Sequence, residues 1–232
     1  MQADLSSYQQ FKRQFTDRYE SIWSHLFNQC HEQLDIKNKN TAVVKLESII
    51  SSTFALSQNK GFQSMTMRDL SEHSGISMGG LYTYFSNKQV LASTIHSYLE
   101  ALCSEWYETL PIKQDQHADH LLAQVRLHLY LSELLKNWFY FVYMECRHLG
   151  TQLKKSVMES ELKTEQMLLQ TLTKGRDNHE FKSSVEANFI AAMIKAMLQD
   201  WYLKPWKYHG KKITIESYAQ HLQNLLTQLV FI

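Results

Sequence analysis

Residues 61–88 combine neutral hydrogen-bond donors, glycines and two cations in a way that suits binding to phosphate. They read GFQSMTMRDLSEHSGISMGGLYTYFSNK. Tyr82 and Tyr84 offer phenol groups two residues apart, so on a helix they point about 200° apart and can reach different acceptors. Thr66 presents a hydroxyl at a predicted helix N-terminus, where unpaired N–H groups favour phosphate, and Lys88 adds a positive charge. Hydroxyl donors, a helix N-terminus and a positive charge together suit contacts with a nucleic-acid backbone.

The first of two short helices is predicted from the spacing of Thr66 and Asp69. A hydroxyl followed three residues later by a carboxylate is typical of a capping box, with Asp in place of the usual Glu or Gln. The helix is expected to cover 67–73 and to end at Gly75, because glycine suits the left-handed position after a helix.

The second short helix follows almost at once. Ser77 can cap it, while Leu81 and Phe85 provide its apolar side. Two short helices joined by a glycine-containing turn form a helix-turn-helix, whose second helix can enter the major groove of DNA.

These residues resemble the DNA-binding domain of TetR-family transcriptional regulators. The resemblance covers about residues 45–95 and rests on the runs TMRDL from Thr66, GISMGGLYTYF from Gly75 and NKQVL from Asn87. It implies an all-α protein, in which an N-terminal helix-turn-helix DNA-binding domain precedes a larger helical ligand-binding and dimerisation domain.

The resemblance also implies which residues contact double-stranded DNA at a palindromic operator. The positions of Ser77, Met78, Gly79, Gly80 and Thr83 approach base edges in the family. Because Met and Gly offer few hydrogen bonds, we expect thymine-methyl contact and close backbone approach there. The candidate DNA-binding residues are Thr66, Arg68, Ser77, Met78, Gly79, Gly80, Tyr82, Thr83, Tyr84 and Lys88.

Composition independently favours helices. The 232 residues include only 7 glycines and 2 prolines, too few for a many-turned β-sandwich. The net charge of +1 excludes a protein that coats nucleic acid along its whole surface. The segment 41–90 is itself only +1, which predicts a shallow salt dependence of DNA binding.

Helical periodicity divides the chain into three ranges: an amphipathic extension and linker at 1–40, the helix-turn-helix domain at 41–90, and the helical domain at 91–232. The apolar periodicity of the extension predicts one helix over 4–34, and Thr41 is a candidate N-cap for the next helix. In the third range, breaks are expected at Gly150, 174–178, Pro205 and Gly210. The apolar stripe of the extension is Leu5, Tyr8, Phe11, Phe15, Tyr19, Ile22, Leu26, Cys30 and Leu34.

Aromatic residues and methionines of the third range either fill a core or line a pocket. The family resemblance favours a pocket for a small hydrophobic or acyl-type effector, with Glu145 or Arg147 as its polar anchor. The candidate ligand-binding residues are Trp106, Tyr107, Trp138, Phe141, Met144, Glu145, Arg147, His148, Met167, Phe189 and Met193.

Broad apolar stripes on the last two helices are similar to the four-helix interface of the family, which implies a homodimer. Such a dimer places two reading helices about 34–36 Å apart or farther. The candidate interface residues are Ile190, Ile194, Met197, Trp201, Leu222, Leu225, Leu226 and Leu229.

The predicted function is therefore that of a ligand-responsive DNA-binding regulator, by family default a repressor released by its effector. The alternative is a helical adaptor with a degenerate DNA-binding motif, whose extension docks on another protein. Enzymatic activity is not expected, since no nucleophile elbow, phosphate loop or paired carboxylates occur.

Metal, cofactor and membrane roles are also not expected. The pairs His117/His120 and Cys146/His148 fall short of the four ligands of a structural zinc. Three scattered cysteines, the lack of a signal-peptide-like start and the lack of a long apolar run predict a cytoplasmic protein.

Overall fold

The computed structural model describes residues 1–30, 38–111, 116–146 and 150–232, and these residues confirm the all-α class. Their only β pairing is an isolated bridge between Phe181 and Phe231. The helices are α1 Tyr8–Arg18, α2 Ile22–Cys30, α3 Lys39–Lys60, α4 Met67–Ser74, α5 Met78–Tyr84, α6 Lys88–Tyr107, α7 His117–Leu134, α8 Lys136–Met144, α9 Gly150–Asp177, α10 Ala187–Leu203, α11 Pro205–His209 and α12 Ile215–Val230.

The chain forms two compact units that cut across the predicted ranges 1–40, 41–90 and 91–232. The first unit contains Met1–Gln14, Leu102–Lys136 and Glu159–Ile232, and the second contains Phe15–Ala101 and Asn137–Met158. The second unit therefore takes helices from all three ranges. The reason is that α2 and α8 supply the apolar side chains that cover α3.

The core of the second unit is aromatic. Phe54 of α3 packs against Trp138 and Phe141 of α8, with ring centroids 5.3 and 5.5 Å apart. Phe62 meets Phe141 edge-on at 5.0 Å, and Trp23 of α2 lies 5.6 Å from Trp138. Helix α8 is thus part of the support for the helix-turn-helix.

The first unit is built around α7, which packs against α10 and α12. The N-terminal half of α1 belongs to this core: Phe11 is fully buried and lies 4.9 Å from Trp106 and 5.7 Å from Tyr130. Arg126 donates to the carbonyl of Leu5 at 3.2 Å. The beginning of the extension is therefore packed within its own chain.

The predicted single helix over 4–34 is wrong, because the structure divides it into α1 and α2. Ser21 caps the second helix: its hydroxyl accepts the N–H of Ser24 at 3.0 Å, and its carbonyl accepts the N–H of His25 at 3.1 Å. Leu34 lies outside the described residues.

Two other predicted boundaries are also wrong. The N-cap of α3 is Asn38, whose side chain accepts the N–H of Thr41 at 3.2 Å, so Thr41 lies in the first turn. The predicted break at 174–178 is helical through Asp177. Gly175 serves packing there, since an added Cβ would lie 2.3 Å from the ring of Phe181.

Candidate nucleic-acid interface

The capping box that opens α4 is confirmed. Thr66 Oγ1 accepts the backbone N–H of Asp69 at 3.1 Å, and Asp69 Oδ2 accepts the backbone N–H of Thr66 at 2.7 Å. The predicted end of the helix is confirmed too, because Gly75 is left-handed with φ 70° and donates to the carbonyl of Ser71 at 3.1 Å. Local rules therefore account for both ends of α4.

Helix α5 follows after the three residues 75–77 and completes the helix-turn-helix. Ser77 caps it as predicted, accepting the N–H of Gly80 at 3.2 Å. The turn is held from α4, since the hydroxyl of Ser71 donates to the carbonyl of Ile76 at 2.6 Å. Leu70 of α4 and Leu81 of α5 are fully buried, which fixes the two helices by their apolar sides.

The outer side of α5 presents an accessible surface, which we call the reading surface. Tyr82 is half-exposed at 50%, Thr83 and Gly79 are exposed, and their neighbour Leu81 is buried. The hydroxyl of Thr83 donates to the carbonyl of Gly79 at 3.0 Å and keeps its acceptor capacity. The reading surface consists of Ser77, Met78, Gly79, Gly80, Tyr82 and Thr83.

Tyr84 and Lys88, both predicted to contact DNA, have structural partners inside the second unit. Tyr84 is only 6% exposed. The ammonium of Lys88 donates to the carbonyls of Phe62, Gln63 and Met65 at 3.0, 2.9 and 2.5 Å. Burial lowers the pKa of Lys88, an effect that the nearby Asp69 opposes. Since an ammonium has three donors, Lys88 is saturated by the connection between α3 and α4.

Asp69 places a negative charge in the first turn of α4. Lys60 lies 2.6 Å from its carboxylate, and this ammonium together with the N–H of Thr66 lowers the pKa of Asp69. The negative cap is therefore present across the physiological pH range. Arg68 pairs with Glu72 at 3.2 Å, and its side chain is 84% exposed. An exposed pair of this kind is weak, so the guanidinium is available to a phosphate.

Glu145, one of the two predicted ligand anchors, binds the connection between α3 and α4. Its Oε2 accepts the backbone N–H of Phe62 at 2.9 Å. Lys88 holds the carbonyl of the same residue, so Phe62 is bound at both of its backbone polar groups. Sequence reasoning missed this role because the carboxylate comes from a distant segment. Arg147 and His148 lie outside the described residues.

The other predicted pocket residues are divided between the two units. Trp138 and Phe141 are buried in the second unit, where Met144 is half-buried; Trp106 is buried in the first, with Tyr107, Met167 and Met193 half-buried. Phe189 is 65% exposed. Neither unit therefore contains all of the described candidate ligand-binding residues.

The predicted interface residues also separate into two kinds. Four of them fill the core of their own unit, and the remainder are partly or fully accessible. Leu225 and Leu229 lie one turn apart on α12 and are 39% and 45% exposed. The buried four are Ile194, Trp201, Leu222 and Leu226, and the half-buried two are Ile190 and Met197.

The described part of the chain contains no cluster of three or more His, Cys, Asp or Glu side chains suited to a metal ion. Within the same ranges, no helix is long and apolar enough to cross a membrane.

Substituting the two adjacent glycines of α5 is expected to have different consequences for stability. A Cβ on Gly79 meets nothing within 4 Å, whereas one on Gly80 would lie 3.0 Å from Ile76 Cγ2. Gly79→Ala should therefore keep or raise the free energy of unfolding, by up to about 1 kcal/mol, and weaken DNA binding by keeping the backbone away from the groove. Gly80→Ala should be less stable than Gly79→Ala, because the Ile76 side chain must move to admit the added methyl group. Thermal unfolding and DNA affinity measured on both variants check this; unchanged affinity of Gly79→Ala would contradict close backbone approach.

Comparison with known proteins agrees with the site. Residues 49–95 match the family model described as bacterial regulatory proteins, tetR family. No curated protein matches the chain.

Several solved structures share its fold. A ketosteroid transcriptional regulator of Mycobacterium tuberculosis is 15% identical, with a TM-score of 0.67 over 81% of this chain and 95% of that one. AibR in complex with isovaleryl coenzyme A and operator DNA is 18% identical, with a TM-score of 0.65 over 80% and 97%. The transcriptional regulator FadR from Bacillus subtilis, in complex with stearoyl-CoA, is 18% identical, with a TM-score of 0.57 over 78% and 96%.

Proposed function

We propose that the chain, whose residues 49–95 match the family model of tetR-type bacterial regulatory proteins, is a ligand-responsive transcriptional repressor. In this proposal it binds a palindromic operator as a homodimer and is released by a small hydrophobic or acyl-type effector.

The observation that carries the proposal is the reading surface of α5. Its hydroxyl groups and bare glycine backbone face solvent, while Leu81 and Phe85 hold the helix on the core. A surface that combines donors with room for close approach suits the edges and phosphates of a duplex.

Dimerisation through the last helices is supported by their exposed apolar side chains. Leu225 and Leu229 form a stripe on α12, and Phe189 at the start of α10 is 65% exposed. A symmetric dimer would cover such side chains and match the symmetry of a palindrome.

An acyl-type effector is supported by the relatives. FadR was solved with stearoyl-CoA and AibR with isovaleryl coenzyme A. The adaptor alternative depends on a free apolar stripe in the extension. Phe11, Phe15 and Leu26 of that stripe are buried in the chain itself, so no observation favours this alternative.

Footprinting of DNA upstream of the protein's own gene tests the proposal, with Tyr82→Phe as the diagnostic variant. The variant removes one hydroxyl from a half-exposed ring and should fold normally. A lost charge-assisted hydrogen bond to phosphate should weaken binding about tenfold.

Trp206→Ala is a suitable control, because this side chain is 73% exposed and lies in the first unit. It should leave the footprint unchanged. A wild-type protein that protects no DNA would contradict the proposed function, and full affinity of Tyr82→Phe would exclude Tyr82 from phosphate binding.

A further inference from the structure

One corner of the first unit carries the most exposed aromatic side chain of the described residues. Trp206, on the short helix α11, is 73% exposed. A tryptophan side chain has roughly 200 Å² of surface, so most of a large apolar ring faces water here. Burying it against a partner would be favourable.

The helix that carries Trp206 is anchored from its opposite side. Tyr208 is buried, with its ring centroid 5.2 Å from that of Trp201 on α10 and 4.9 Å from that of Tyr218 on α12. The residues after the helix turn back onto it, since the N–H of Ile213 donates to the Tyr208 carbonyl at 3.0 Å. Trp206 is therefore presented on a fixed base, and binding through it would require little ordering of the backbone.

Positive charge surrounds the exposed ring. Lys204 and Lys207 share the carboxylate of Asp200 at 2.6 Å each, and their side chains stay 53% and 38% exposed. Lys211 and Lys212 are exposed and have no ion-pair partner among the described residues. Residues 200–213 thus hold four lysines and one acid, a net charge of +3 in a chain whose total is +1. We call Trp206 and these four lysines the basic corner.

The composition of the basic corner restricts the kind of partner that it fits. Residues 200–213 contain no arginine. Arginine is preferred where carboxylates or phosphates are held in a fixed two-point geometry, and lysine is depleted in protein–protein interfaces. A lipid headgroup surface needs no such geometry. Tryptophan concentrates at the boundary between headgroups and acyl chains, and lysines are attracted to the negative potential of anionic lipids.

We propose that the basic corner binds the surface of a membrane rich in anionic phospholipid. Trp206 enters the headgroup layer, and the lysines face the lipid phosphates. A long apolar run is needed to span a membrane but not to lie against its surface. The contact is peripheral and reversible, and it does not depend on DNA binding, whose reading surface belongs to the second unit.

Flotation of the full-length protein with lipid vesicles tests the proposal. Vesicles of equal parts phosphatidylglycerol and phosphatidylcholine should bind the protein at about 50 mM salt and lose most of it at about 500 mM, where charges are screened. Vesicles of phosphatidylcholine alone should bind at least about tenfold more weakly, because they lack the negative surface potential.

Tryptophan fluorescence measures the expected insertion of the ring. Three of the other tryptophans are buried and one is half-buried, so a blue shift on vesicle binding comes mainly from Trp206. These four are Trp106, Trp138, Trp201 and Trp23. Trp206→Phe should lose most of the blue shift and keep part of the binding, since phenylalanine is also apolar.

A pair of double variants tests the contribution of charge. Lys211→Gln combined with Lys212→Gln should weaken vesicle binding about twentyfold, since each lysine near an anionic surface contributes about fivefold. Lys163→Gln combined with Lys174→Gln is the matched control, because it removes the same charge from exposed positions of α9 in the same unit. The control should bind vesicles like the wild type, and both double variants should keep the wild-type melting temperature.

The proposal is overturned if anionic vesicles bind no better than neutral ones, if both double variants lose binding equally, or if binding causes no blue shift that depends on Trp206. Two further results would assign the basic corner to another partner and overturn the proposal as well. One is a loss of DNA affinity in the Lys211 and Lys212 double variant, which would indicate nucleic acid. The other is a Trp206-dependent blue shift with poly-L-glutamate that vesicles do not produce, which would indicate an acidic protein segment.

Discussion

Replacing Lys88 with methionine is expected to lower the free energy of unfolding by about 3 kcal/mol and to reduce DNA binding only through the fraction of protein that unfolds. The ammonium holds three carbonyls of the connection between α3 and α4, those of Phe62, Gln63 and Met65. Hydrogen bonds to a charged group contribute about 1.5–3 kcal/mol each, and carbonyls left without a donor add to the loss. Chemical denaturation monitored by circular dichroism measures the change.

The salt dependence of DNA binding separates this structural role from a direct phosphate contact. A lysine that only neutralises a phosphate would leave stability unchanged, and its removal would reduce the slope of log K against log salt by about 1. We expect the opposite for Lys88: lower stability, and an unchanged slope under conditions where the variant remains folded. Lys45→Met, on α3 of the same unit, is the matched control and should unfold like the wild type. Normal stability of Lys88→Met combined with a reduced slope would contradict the structural role.

Features of the helix-turn-helix that depend on neighbours along the chain could be predicted from the sequence. Thr66 and Asp69 are three residues apart, and Ser77 and Gly80 have the same spacing, so their hydrogen bonds follow from helix geometry. Gly75 is required by the left-handed turn after α4. These local interactions place the reading surface without knowledge of the rest of the fold.

Roles that depend on tertiary partners could not be predicted in this way. Lys88 finds its acceptors 23 to 26 residues earlier in the chain, and Glu145 finds its donor 83 residues earlier. Charge and exposure expected from the residue type suggested a phosphate contact for the first and a ligand anchor for the second. In the structure, both side chains bind backbone groups of the same short connection between α3 and α4.

Gly175 and Lys195 show that tertiary packing also decides where a helix continues and which of its positions are buried. Glycine and polar neighbours usually indicate a loop, but Gly175 lies inside α9 because the ring of Phe181 occupies the space of a side chain. Lys195 follows an apolar stretch of α10, where a lysine is normally expected at the surface. Its burial is visible only once α7 and α10 are packed together.

Replacing Phe11 with alanine is expected to lower the free energy of unfolding of the first unit by about 3–5 kcal/mol, a typical cost for a buried phenylalanine. The ring is fully buried and lies between Trp106 and Tyr130. Its removal would leave a cavity, because the Arg126 bond to the Leu5 carbonyl ties down the segment just before α1 and lets the helix close the gap only in part. Hydrogen exchange of the α7 amides, measured with and without denaturant, reports on this unit.

Gln10→Ala is the matched control, since this neighbouring side chain is exposed, and it should change stability by no more than about 0.5 kcal/mol. Comparison of the two variants also distinguishes a docking role of the N-terminal extension from a structural role within its own chain. An extension kept for docking on a partner would leave its own chain easily, so Phe11→Ala would then cost little and α7 exchange would be unaffected. A loss confined to Phe11→Ala instead makes the first helix a permanent part of the first unit.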